Sequence, residues 1–82
     1  MAKKPPTPEE LASLKAAMDA SELDFDNAKL AYFRGLPYQD QEVTYEILCQ
    51  YAKAYIARNY EFQKARFGKV SIRLSVARLL RE

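Results

Sequence analysis

The residues that break helices are few in this chain, and they are grouped. Prolines stand at positions 5, 6, 8 and 37, and glycines at 35 and 68. Between Pro8 and Gly35, and again between Pro37 and Gly68, no residue forbids an α-helix. A chain of 82 residues divided in this way has room for two long helices and a short remainder. That is one domain, with a core too small to be robust on its own.

The first stretch begins with a complete start signal. Thr7 suits the N-cap, Pro8 fits the first helical position, and Glu10 follows Thr7 by three residues. Together they form a capping box whose proline gives up an N–H that would have no helical partner anyway. Leu11, Leu14, Met18, Phe25, Ala28 and Tyr32 fall on one arc about 100° wide, with Ser21 as its polar member. One helix over about 8–34 is expected, near 40 Å long at ~1.5 Å per residue. Its weak point is 21–27, where Ser21, Asp24, Asp26 and Asn27 are poor helix formers, and a break there is the alternative. Arg34, Gly35 and Pro37 supply the stop.

A second helix is expected over about 41–67, capped by Asp40 and ended by Gly68. Glu46, Gln50, Lys53, Ala57, Glu61 and Lys64 share one narrow face, which should be wet. The rest is largely apolar, including Val43, Ile47, Leu48, Tyr51, Tyr55, Tyr60, Phe62 and Phe67. That arc is about twice the ~100° stripe of an ordinary surface helix, so the first helix cannot cover it alone. The C-terminal segment, a second copy or another protein must pack there.

The remainder, 69–82, carries two patterns. Val70, Ile72, Leu74 and Val76 alternate as in a strand, while Ile72, Val76, Leu79 and Leu80 share a helical face that Ser71 or Ser75 would cap. A lone strand would have to pair with another chain, so a short amphipathic helix is the expectation. The fold class is therefore all-α: a long antiparallel helical hairpin (about 8–34 and 41–67) plus a short C-terminal amphipathic segment. A dimeric helical bundle is the expected assembly. Residues 1–6 form a flexible Pro-rich tail ahead of a single helical domain, 7–82.

The same composition removes most chemistry. There is no His, and Cys49 is the single cysteine, which excludes a disulfide framework and a multi-Cys zinc site. Cys49 reads as a small packing residue. Asp19, Glu22, Asp24 and Asp26 are spread around a helix axis and lack the glycine turn of a calcium loop. No catalytic, cofactor-binding or metal-binding residue is expected, and no enzyme activity. No run approaches the ~20 apolar residues of a membrane span. The N-terminus lacks the apolar stretch of a secretory signal, so a cytoplasmic setting is expected.

Charge is unevenly distributed. Residues 1–50 hold five basic and nine acidic side chains; residues 51–82 hold eight basic and two acidic. In an antiparallel hairpin this makes one end of the molecule positive. Two functional surfaces follow. A protein partner is expected on the Tyr-rich apolar face of the second helix, through Tyr51, Tyr55, Arg58, Tyr60 and Phe62. Arg58 falls inside that apolar arc and is expected to pair with Asp19, Glu22 or Asp26. The alternative is a small nucleic-acid-binding regulator that tracks phosphates with Lys64, Arg66, Lys69, Arg73, Arg78 and Arg81. The leading reading is a non-enzymatic adaptor or regulatory module, self-associating as a dimer.

Overall fold

The computed structural model describes residues 5–81, so the expectation for residues 1–4 lies outside the described residues. Helix α1 spans Pro8–Arg34 and helix α2 spans Tyr45–Phe67. Between them lies a two-stranded antiparallel ribbon, β1 (Pro37–Tyr38) and β2 (Gln41–Glu42). A single turn of helix, α3 (Val76–Leu79), follows α2.

Helix α1 runs unbroken for 27 residues. The Thr7 hydroxyl accepts from the Glu10 N–H at 3.1 Å, as the capping box requires. Gly35 takes φ 68° at the other end, and the Leu36 N–H closes onto the Ala31 carbonyl at 2.8 Å. The weak helix formers at 21–27 do not interrupt it, because the same turns carry its deepest anchors. Phe25 and Ala28 are buried there, and packing of this kind outweighs a few tenths of a kcal/mol of propensity per residue.

Helix α2 starts later than the sequence suggests. Gln39 and Asp40 both have positive φ, 53° and 60°, and form the tight turn of the ribbon. A two-residue hairpin favours this backbone because its twist matches that of the strands. Asp40 is therefore a turn residue and not the cap. Thr44 caps α2, its hydroxyl accepting from the Ile47 N–H at 3.2 Å. Val43, just before it, is buried.

Three elements cover the wide apolar arc of α2. Helix α1 lies antiparallel along it, and Phe25, Ala28, Ala31, Val43, Leu48 and Ala52 form the buried core. The ribbon folds back over one side, where the Tyr38 ring meets Tyr51 edge-on at 5.9 Å and its hydroxyl donates to Asp24 at 2.7 Å. The C-terminal segment returns over the other side, and Val76, Leu79 and Leu80 pack on the core. Lys29 on α1 holds it down by donating to the carbonyls of Leu79 and Arg81, at 3.0 and 2.8 Å. The expected wet face of α2 (Glu46, Gln50, Lys53, Ala57, Glu61, Lys64) is exposed throughout.

The alternating stretch before α3 is not a strand. Both the Ser71 and Ile72 N–H groups donate to the side-chain oxygen of Gln63, each at 3.0 Å. Successive N–H groups of a strand point to opposite sides and cannot converge on one acceptor. Ser75 then caps α3 through the Arg78 N–H at 3.2 Å.

Candidate functional site

The residues expected on the partner face divide into four environments. Tyr51 is occupied by the ribbon through Tyr38. Tyr60 lies beneath the tail, with its hydroxyl donating to the Leu74 carbonyl at 3.3 Å. Tyr55 and Phe62 line an open groove. Arg58 differs from expectation: it is exposed and pairs with Glu61, one turn along its own helix, at 3.4 Å. The α1 acids offered to it are otherwise engaged or out on the surface. Asp19 binds Lys15 at 2.8 Å, Glu22 accepts from the Tyr55 hydroxyl at 2.9 Å, and Asp26 is exposed.

The groove encloses about 470 Å³ between α1, α2 and the returning tail. Met18 contributes from α1, Tyr55, Phe62 and Phe67 from α2, and Ile72 and Leu74 from the tail. Phe67 and Ile72 are 60% and 58% exposed, an unusual state for two large apolar side chains in one depression.

Its polar groups are already committed. The Gln63 amide nitrogen donates to the Ile72 carbonyl at 2.8 Å and to Asn59, whose own amide approaches the Met18 sulfur at 3.5 Å. The Tyr55 phenol is pushed up to about 12, first by burial and then by its bond to the Glu22 carboxylate. At neutral pH it is a neutral donor with its hydrogen in use. The groove thus offers apolar contact with few free polar groups, an arrangement suited to binding. Among the described residues, no three His, Cys, Asp or Glu side chains are grouped to hold a metal ion. No described helix is long and apolar enough to cross a membrane.

The six cations singled out in the sequence are all exposed but do not form one patch. Lys64, Arg66, Lys69 and Arg73 lie toward the open end of the hairpin, Lys64 on the wet face of α2. Arg66 lies over the Phe67 ring at 5.6 Å, and Arg73 stands between the two tail residues that line the groove. Arg78 and Arg81 are carried past it by the tail, toward Lys29 of α1.

Gln63 is the site residue that sequence reasoning missed. It is buried and fixes one wall of the groove. The available signal was its position one turn beyond Asn59, which marks a second polar side chain on the helix surface facing the tail.

No family model matches the chain, and neither does any curated protein or solved structure.

Proposed function

We propose that this chain is a non-enzymatic protein-interaction module, and that its partner surface is the groove at the open end of the hairpin. The observation that carries this reading is the pair Phe67 and Ile72, each more than half exposed on two walls of one apolar depression. Uncovering both costs on the order of 1 kcal/mol or more each relative to burial. A partner that covers them recovers that energy. Tyr55 and Phe62 extend the surface along α2, and aromatic side chains of this kind dominate interface energetics. Tyr51, Tyr60 and Arg58 lie outside it on this reading.

A second reading has one observation in its favour. Lys64, Arg66, Lys69 and Arg73 have no ion-pair partner among the described residues, and an aromatic ring lies in their midst. That is the chemistry of a phosphate-tracking surface with a stacking platform.

A benzophenone side chain placed at Phe67, and separately at Ala57 on the wet face, distinguishes the two in cells. The module reading expects protein adducts from position 67 and none from 57. Adducts to nucleic acid alone, or equal protein adducts from both positions, sink it. Labelled single- and double-stranded oligonucleotides complete the test. Phosphate tracking by four cations predicts an affinity that falls steeply with salt, roughly as the fourth power of its concentration.

A further inference from the structure

Among the described residues, every polar bond that seats the tail on the hairpin ends on the tail's main chain. Gln63 accepts from the Ser71 and Ile72 N–H groups and donates to the Ile72 carbonyl. Tyr60 donates to the Leu74 carbonyl, and Lys29 donates to the carbonyls of Leu79 and Arg81. No residue from 69 to 81 is buried. The tail side chains that meet the core, Val76, Leu79 and Leu80, are only partly covered.

Neither half of the tail has structure that would stand alone. Residues 69–74 make no backbone hydrogen bond with one another. Helix α3 is a single turn, far below the length at which a helix is stable in water. The Gln63 latch at Ile72 and the Lys29 latch at Leu79 lie seven residues apart in the chain. With one closed, the other is held within reach at a high effective concentration; with one open, the other must close alone. The two latches are therefore coupled through the tail.

They serve different parts of the molecule. The Gln63 latch places Ile72 and Leu74 on the groove. Lys29 stands eleven residues along α1 from Met18, the α1 residue of the groove, which is about 16 Å at ~1.5 Å per residue. It belongs instead to a hollow toward the closed end, where the ribbon joins the helices, together with Asp26, Leu30 and Phe33.

We infer that the tail is a strap with two latches, and that it makes the groove conditional on Lys29, a residue that does not line it. The groove keeps its tail side while Lys29 is bonded and loses it when those bonds are given up. The coupling is reciprocal. Whatever fills the groove against Ile72 strengthens the bonds at Lys29, and whatever draws the Lys29 ammonium from its two carbonyls weakens binding in the groove. The consequence for a partner rests on the groove being a partner surface; the coupling itself does not.

Hydrogen exchange of the full chain tests it, read in the tail and compared with amides in the middle of α1 and α2. Lys29→Met removes both bonds at the far latch. It should lower protection at Ser71 and Ile72 roughly tenfold relative to the mid-helix amides. Gln63→Ala should do the same to the Leu79 and Leu80 N–H groups, which bond within the tail to the Ser75 and Val76 carbonyls. Lys29→Arg, which can still donate to the carbonyls, should keep most of the protection that Lys29→Met loses. A loss in Lys29→Met confined to Leu79 and Leu80 overturns the inference, because the two latches then open independently. An equal loss at every amide overturns it too, since Lys29 would then support the whole fold and not the strap. The same loss in Lys29→Arg as in Lys29→Met also overturns it, because the latch would then not be the bonds to the carbonyls. Adducts from the benzophenone at position 67 report on the partner and leave this coupling untouched, so the two readings fail separately.

Discussion

The Gln63 carboxamide acts toward Ile72 as a neighbouring strand would, accepting its N–H at 3.0 Å and donating to its carbonyl at 2.8 Å. One side chain thus satisfies backbone groups in a segment that has no sheet to join. Gln63→Ala leaves two N–H groups and a carbonyl without partners, at a cost of about 1–3 kcal/mol. Hydrogen exchange should show the Ser71 and Ile72 amides losing protection, while amides in the middle of α1 and α2 change only as far as global stability does. Retained protection at Ser71 would mean that the tail is held by its apolar contacts alone.

Leu48 is the largest fully buried side chain of the core. Leu48→Ala should cost about 2–5 kcal/mol, and in a domain of this size each kcal/mol lowers Tm by about 4–8 °C. Thermal unfolding followed by circular dichroism measures it. Leu30→Ala, on the exposed closed end, should move Tm far less.

The start of α2 gives a paired test. Thr44→Ala removes the cap and should cost about 1 kcal/mol. Asp40→Gly should be neutral or stabilising, because Asp40 sits at φ 60°, a region glycine enters freely. Had Asp40 been the cap, the two substitutions would rank in the opposite order in chemical denaturation.

Tyr55 makes an alkaline prediction. Burial and the Glu22 carboxylate raise its phenol from the ordinary value of 10.0 to about 12. Because the folded value is the higher one, the stability linked to this group is fully present below pH 10 and is lost as pH rises toward 12. The tyrosinate absorbance of wild type minus Tyr55→Phe should titrate near the upper value, and Glu22→Gln should bring it down. An unshifted titration would show that the Tyr55–Glu22 bond does not persist in solution.

The bounds of α1 were legible in the sequence because every signal at its ends is local: a capping box at one, Gly35 and Pro37 at the other. The end of α2 at Gly68 was legible for the same reason. The start of α2 was not, since Asp40 and Thr44 are both competent caps and the turn at Gln39–Asp40 lacks the Asn-Gly or Asp-Gly pair that announces a two-residue hairpin. Periodicity showed that α2 has more apolar surface than α1 can cover, and it named the tail as one candidate cover. It could not show the ribbon doing part of that work, because Tyr38 reaches Asp24 and Tyr51 only once the turn has formed. The site was legible in part. Tyr55 and Phe62 do line the groove, but Arg58 had a carboxylate closer to hand on its own helix. The role of Gln63 depends on a bond from a side chain to a backbone eight residues away, for which sequence carries no periodic signal.

The anchoring of the tail by Lys29 also sets an order of events. The two helices meet across a connection of ten residues, 35–44. The contact from Lys29 to Arg81 closes a loop between residues 52 apart in the chain. Short loops close at lower entropic cost than long ones, so the hairpin assembles first and the tail settles on a surface already formed. The last element to arrive also has no buried residue of its own. The tail is therefore the unit that detaches first when the molecule fluctuates, and each such excursion dismantles one wall of the groove while the helical pair stays intact.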